Sequence, residues 1–340
     1  MKTLRLPAEW ENVDAVLIAW PHEKTDWAYM LDDVRQTYGN IICALSQRVK
    51  VIIVGPEAPQ PQFLPQNTRM ENVIVAKFDT NDTWTRDYGP ITVITDQGPA
   101  HIDYQFNGWG LKFAADLDNG INAKLIDAGI LPYQRINRLG FTLEGGSIES
   151  DGQGFILTTA RCLLSPNRNG DLSLEQIEEQ LKADLGATTI GWLANGELEG
   201  DDTDSHIDTL ARLAPPGDTI FFVGCNDPAD SHFEGLQLMK EELQQLRRAN
   251  GMPFNLIELP LPDPIYDPDD GTRLPATYAN FLIVNDAVLL PTYNQPLKDM
   301  TARMAIQAAM PEYEVIPIDC RSLIRQHGSL HCATMQIPKL

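Results

Sequence analysis

Apolar positions along the chain follow two rhythms that alternate. Five stretches repeat apolar residues three and four positions apart, the period of a helix with one buried face: Leu31 to Val49, Asn119 to Gly129, Ser173 to Leu185, His232 to Ala249 and Gln295 to Ala309. Each runs into a short stretch rich in β-branched or aromatic residues, predicted as a strand: Val51 to Val54, Tyr133 to Leu139, Thr188 to Leu193, Asn255 to Leu259 and Tyr313 to Ile318. Further strands are predicted between these units at Ala15 to Trp20, Val73 to Phe78, Ile91 to Thr95, His101 to Gln105, Phe155 to Thr159, Thr219 to Val223, Phe281 to Val284 and Val288 to Thr292.

Strands therefore outnumber helices by more than two to one. A doubly wound sheet needs one helix per strand and a Gly-rich first turn, so it fits poorly. The economical reading is an α/β chain that uses a strand-strand-helix-strand unit five times and closes into a pseudo-symmetric five-bladed propeller. The Pro- and Asp-rich stretch Leu259 to Pro275 reads as a surface loop and not a boundary, so residues 1–340 are expected to form a single domain.

With 340 residues, 43% of them apolar, the chain can bury a large core. Its formal charge of -21 argues against nucleic-acid or anionic-membrane partners, which need clustered Lys and Arg, and favours a small cationic one. Acidity also serves plain solubility. The five cysteines (Cys43, Cys162, Cys225, Cys320 and Cys332) are widely spaced and odd in number, which suggests neither disulfides nor a zinc knuckle and fits a reducing compartment. Met1 to Trp10 carries no apolar signal stretch, and no segment approaches the ~20 apolar residues of a membrane span. A cytoplasmic protein is expected, its oligomeric state open to a homo-oligomer.

Candidate chemistry sits in four segments. Thr83-Trp84-Thr85-Arg86-Asp87-Tyr88-Gly89-Pro90 follows the polar run Asp79 to Asp82 and ends in a Gly-Pro turn, so it is predicted as a loop leading into Ile91 to Thr95. Asp87 there could take a guanidinium bidentately while Trp84 covers its face, or could merely pair with Arg86. His206-Ile207-Asp208 follows an acidic loop, Glu197 to Asp204, and is read as opening a strand that continues from Thr209 to Ala214. On a strand His206 and Asp208 would share a face, putting a proton-transferring imidazole beside a carboxylate that grips substrate. Metal binding is the rival, but the H-x-E then P-C-x-x-C zinc pattern is absent and only six His are present, so no metal or organic cofactor is expected.

Cys332 lies in His327-Gly328-Ser329-Leu330-His331-Cys332-Ala333-Thr334-Met335-Gln336, polar-flanked beyond the last strong strand, where an exposed reactive thiol is expected. The other four cysteines have apolar settings and read as buried packing. In Phe141-Thr142-Leu143-Glu144-Gly145-Gly146-Ser147-Ile148-Glu149, paired glycines permit close backbone approach and Glu144 could accept from an imidazole; a plain turn is the alternative.

Together with Phe106-Asn107-Gly108-Trp109-Gly110 and Leu163-Leu164-Ser165-Pro166-Asn167-Arg168-Asn169, these segments resemble, in order and over nearly the whole chain, the agmatine deiminase family within the bacterial peptidylarginine-deiminase-like group of guanidine-modifying enzymes. The resemblance implies a five-bladed propeller with its active site on the axis. It implies Cys332 as nucleophile, His206 as general acid and base, Asp87 and Asp208 as guanidinium carboxylates and Glu144 as the partner of His206. Trp84, Arg86, Asn107, Trp109 and Asp202 are expected to bind substrate, and Asp201, Asp204 and Glu149 are further candidates for its distal end. The implied reaction is hydrolysis of agmatine to N-carbamoylputrescine and ammonia through a covalent thiouronium. Peptidyl or free arginine is the alternative substrate, and a non-catalytic propeller holding cations is the alternative of another class. Two departures, Gly328 standing alone before Ser329-Leu330 and Ser205 before His206 where Gly is common, bear on the loops around the pocket.

Overall fold

The computed structural model describes residues 1–340. All five expected helices form, and each joins two strands that pair in parallel. Leu31–Ser46 joins Val13–Ala19 to Lys50–Gly55, and Ile121–Asp127 joins Gly98–Gln105 to Gln134–Thr142. Leu174–Leu185 joins Phe155–Thr159 to Thr189–Leu193, and Phe233–Gln245 joins Thr219–Gly224 to Asn255–Pro260. Pro296–Ala309 joins Ala287–Thr292 to Glu314–Asp319.

A third strand lies antiparallel against the first member of each pair: Met335–Pro338, Ile91–Thr95, Ile148–Ser150, Ala211–Ala214 and Leu282–Val284, in that order. The result is five separate sheets with one shared strand order. Two gain a fourth strand, Val73–Lys77 beside Lys50–Gly55 and Thr3–Arg5 beside Ile91–Thr95. In the sheet that holds Met335–Pro338 the two chain ends meet, with Met335 opposite Leu17 and Gln336 opposite Val16. The last strand thus fixes the segment that carries Cys332.

Local chemistry sets these boundaries. Ser173 accepts from the main-chain N–H of Gln176 and Gln176 returns the bond, a capping box, while Gly186 ends the same helix at φ 67°. Thr219–Gly224 is buried along its whole length, which explains why its sequence is a continuous apolar run without alternation. Strands and helices from most of the chain contribute to one core of 55 buried apolar residues, with smaller cores of 17 and 15 beside it.

Two local expectations change. Thr85–Tyr88 is a short helical turn within the segment predicted as loop. His206-Ile207-Asp208 is not the start of a strand: Ile207–Thr209 is a 3-10 turn, and the strand begins only at Ala211. The alternation argument for His206 and Asp208 therefore fails, although the tight turn still gathers both side chains at one place. The stretch after Asn255–Pro260 is a loop exposed between Asp263 and Arg273, as expected.

Candidate active site

Asp87 lies in the turn Thr85–Tyr88, which aims successive side chains roughly 100° apart. Asp87 faces inward, where Trp109 Nε1 donates to its Oδ2 at 2.9 Å and the main-chain N–H of Gly146 donates to its Oδ1 at 3.0 Å. Arg86 faces away. It reaches the carbonyl of His331 and approaches Glu9 at 3.7 Å, and it lines a different cavity. Arg86 is neither a substrate residue of this site nor the partner of Asp87.

Gly146 packs against three site residues at once. A Cβ there would stand 2.7 Å from Asp87 Oδ1, 2.7 Å from His206 Nδ1 and 3.1 Å from Asp208 Oδ2. The paired glycines thus allow the three side chains to converge. His206 is buried with both ring nitrogens lacking a hydrogen-bond partner, its Nδ1 3.5 Å from Asp87 Oδ1. Asp208 accepts at Oδ2 from His331 Nδ1 at 2.7 Å, and its buried Oδ1 has no partner. Buried polar atoms are ordinarily paired, so these three open positions describe a site made for something polar.

Cys332 closes the group, its Sγ 3.6 Å from Asp208 Oδ2. Contrary to the expected exposed thiol, it is only 5% exposed. Burial first, then the charges of Asp208 and Asp87, push its pKa well above the ordinary thiol value. Burial works against a charged His206, but Asp87 and Cys162 outweigh it and hold the imidazole well above its ordinary value. Asp87 is pushed up to about 6, chiefly by burial. For Asp208, burial would raise the pKa, but the His331 hydrogen bond and charge bring it below the usual carboxylate value.

Glu144 lies just before Gly145–Ser147, but its hydrogen bonds go to Arg168 Nε at 2.9 and 3.0 Å and not to His206. Arg168 also donates to Asp204 at 2.6 Å and to the carbonyl of Thr203, tying Glu144 to the segment that leads into His206. Glu144, Cys162 and His206 form a tight group of potential metal ligands, and so do Glu9, Glu149 and His331. In both groups the carboxylates already answer Arg168 or Arg212, cations that a metal ion would have to displace.

A narrow cleft leads to the sulfur, lined by Trp84, Asp87, Trp109, Asp202 and Cys332 among the expected residues. Trp84 packs on Gly328, where a Cβ would fall 2.4 Å from its ring, so that lone glycine is the one the pocket wall requires. Asn107 does not line the cleft. It braces the turn beneath Trp109, accepting from Gly110 and donating to the carbonyl of Asn167, each at 2.9 Å.

Of the four distal candidates only Asp202 reaches the cleft. Asp201 staples Thr203 and Ser205, Asp204 holds Lys112 and Arg168, and Glu149 is buried against Arg212. Asp26 and Asp82 join Asp202 at the wall and were missed in the sequence. Asp82 stands at the end of the polar run Asp79 to Asp82, but nothing in that run marks it as buried. Burial, then Asp26 and Asp202, push Asp82 up to about 7.

The sequence profile of the Porphyromonas-type peptidyl-arginine deiminase family matches residues 5–338. The chain belongs to that family. A Vibrio parahaemolyticus protein provisionally named agmatine deiminase is 35% identical, across 98% of this chain and 96% of its own. Among solved structures, a Porphyromonas gingivalis protein provisionally named arginine deiminase is 46% identical with a TM-score of 0.92, covering 98% of each chain. A C. jejuni agmatine deiminase, solved with substrate bound and a cysteine replaced by serine, is 38% identical with a TM-score of 0.89, covering 100% of this chain and 97% of its own. The fold is therefore the pentein-type α/β fold of these guanidine-modifying enzymes, and the chain is a deiminase that hydrolyses a guanidino group. No helix is long and apolar enough to cross a membrane.

Proposed function

We propose that the protein deiminates a small guanidine whose tail carries a second positive charge, agmatine before all others, giving N-carbamoylputrescine and ammonia. The observation that carries this reading is the open set beside Cys332: its sulfur lies 3.6 Å from Asp208 Oδ2, and Asp208 Oδ1 and both nitrogens of His206 are buried without a partner. The five sheets, joined where Met335–Pro338 meets Val13–Ala19, support a single-domain propeller with these residues near its axis.

Asp87 and Asp208 grip the guanidinium from two sides, and holding its central carbon against Cys332 supplies much of the rate effect. The incoming cation offsets the two carboxylate charges that hold the thiol protonated, so the thiol gives up its proton to solvent as the substrate binds. The thiolate adds to the central carbon. His206, already charged, gives its proton to one amino nitrogen, which departs as ammonia and leaves a thiouronium on Cys332. The neutral ring then takes a proton from water as the water oxygen attacks the same carbon. Cleavage of the C–S bond returns the thiolate and releases the ureido product, and the chemistry asks for no metal or organic cofactor.

Asp26, Asp82 and Asp202 support agmatine, because three acids suit a tail ammonium and repel the α-carboxylate of free arginine. Arginine-bearing substrates are the second reading, favoured by the matched family, named for peptidyl-arginine, and by the arginine deiminase name of the P. gingivalis relative. A ureido assay with agmatine, arginine and an arginine-containing peptide decides. Highest kcat/KM on agmatine supports the first reading, highest on the peptide the second, and no ureido product from any guanidine sinks both. The net charge of -21 supports an enzyme without nucleic-acid or anionic-membrane partners.

A further inference from the structure

His327 stands in the cleft wall at a cost to its own backbone. It ends the turn Leu323–Gln326 at φ 67° and ψ -4°, the left-handed region in which a side chain crowds the main chain and glycine is free of strain. Glycine would serve that turn equally well, so what the imidazole adds is to be sought in the cleft. Asp26, Asp82 and Asp202 line the same cleft and supply negative charge. Charge attracts any cation and fixes no direction.

We propose that His327 is a specificity-determining residue whose Nε2 accepts a hydrogen bond from the tail ammonium of the substrate. The inference deepens the proposed function and rests on its reading of a tail with a second positive charge.

One bond orients the ring. Nδ1 lies 2.7 Å from the carbonyl oxygen of Gly200. A carbonyl only accepts, so Nδ1 carries the hydrogen, and in the neutral ring Nε2 is left as a bare lone pair. Nε2 makes no hydrogen bond within the chain. The anchor is itself closely packed: Gly200, at φ 83°, lies so near Arg273 that a Cβ would stand 2.4 Å from the Arg273 carbonyl oxygen. From Gly200 the chain runs through Asp202 and Thr203 to Asp204, a segment that Lys112 and Arg168 hold in place. The imidazole is therefore pinned between the segment of Cys332 and the acidic one, and both line the cleft.

A bare nitrogen discriminates by what it refuses as well as by what it accepts. It takes a hydrogen bond from an ammonium N–H, and a charged donor makes that bond stronger than a neutral one. The carboxylate of free arginine and the carbonyl of a peptide offer only lone pairs of their own, which it repels. A plain alkyl tail gains nothing from it.

The test compares agmatine with butylguanidine, the same chain without the terminal amine, at pH 8. His327→Gly suits the left-handed turn and removes the ring. His327→Asn also tolerates that conformation and keeps a donor for the Gly200 carbonyl where Nδ1 stood, losing only the acceptor. Both variants should raise KM for agmatine about 10- to 100-fold with kcat little changed, and leave butylguanidine as it was. Were His327 only a brace for the cleft mouth, the asparagine variant would match the wild type on agmatine, or the glycine variant would lose both substrates alike. Either result overturns the proposal. The two readings also fail differently. A wild-type enzyme with no preference for agmatine over butylguanidine refutes the charged tail and the role of His327 with it, whereas a preference that both variants keep refutes His327 alone.

Discussion

His331 Nδ1 lies 2.7 Å from Asp208 Oδ2, and the other ring nitrogen lies 2.6 Å from Glu9 Oε2. The imidazole thus spans two buried carboxylates and holds Asp208 by one oxygen, leaving its buried Oδ1 without a partner. Glu9 is anchored in turn by Arg212 at 2.8 Å. His331 is a positioning residue, set directly before Cys332 yet pointing at the Asp208 carboxylate.

His331→Phe leaves both carboxylates without that donor. Removing one partner from a buried charged pair costs about 3–5 kcal/mol, so the melting temperature drops by several degrees. Capture of the guanidinium weakens about 100-fold in KM. The pH dependence has a definite sign. Because His331 holds the folded Asp208 below its unfolded value, this stability is present above about pH 4 and is lost as acid protonates the folded carboxylate. The variant should lose that acid-side slope in a plot of melting temperature against pH. An unchanged slope and KM would show that the contact is idle.

Asp87 and Asp82 behave in the opposite sense. Burial raises them to about 6 and about 7, so the folded protein binds more protons than the unfolded chain from about pH 4 upward. Stability therefore falls as pH rises through that window, and a bound cation restores it. The rise in melting temperature given by agmatine, measured on Cys332→Ala so that nothing turns over, should be larger at pH 8 than at pH 5.5. Equal shifts at both pH values would refute the assignment of these carboxylates to the cation.

The three wall acids can be separated from the clamp. Asp82→Asn and Asp202→Asn should each raise KM for agmatine about tenfold, with kcat little changed, because they lie on the tail side and not at the reacting carbon. For an alkylguanidine with no second cation the same substitutions should have a much smaller effect. A comparable loss on both substrates would place these acids in the general field of the site and not at the tail.

Much of this was legible in the sequence, and the failures have physical causes. Helix and strand positions followed from periodicity because the five helices each bury one face and the central strands bury both. Thr3–Arg5, Ile148–Ser150 and Met335–Pro338 escaped because each is three or four residues long and, unlike the equally short Leu282–Val284, is not a continuous aliphatic run. Asp87, His206, Asp208 and Cys332 were singled out because their residue types carry chemistry wherever they stand, and the structure brings them together. Direction was another matter. Arg86 was expected to bind substrate or to pair with Asp87, yet a helical turn sends the two apart, and Glu144 answers Arg168, a residue distant in sequence. Asn280, whose buried amide nitrogen lies 3.3 Å from Cys332 Sγ, was missed because an asparagine before a strand reads as a turn residue.

Gly146 offers the most local test of the geometry. Its missing side chain leaves open the space bounded by Asp87 Oδ1, His206 Nδ1 and Asp208 Oδ2, and a Cβ would enter within 2.7 to 3.1 Å of all three. None of the three can retreat freely: Trp109 and the Gly146 main chain hold Asp87, His331 holds Asp208, and His206 is wholly buried. Gly146→Ala should cost about 1–3 kcal/mol of stability from overpacking and leave a folded protein. The displacement of one carboxylate by even 1 Å should lower kcat/KM by about 100-fold or more. Gly140→Ala is the control, since a Cβ there meets nothing within 4 Å, and its kcat/KM should be unchanged. If Gly146→Ala kept full activity, the convergence of Asp87, His206 and Asp208 on one reacting centre would be wrong, because the added methyl group would stand within 3.1 Å of all three.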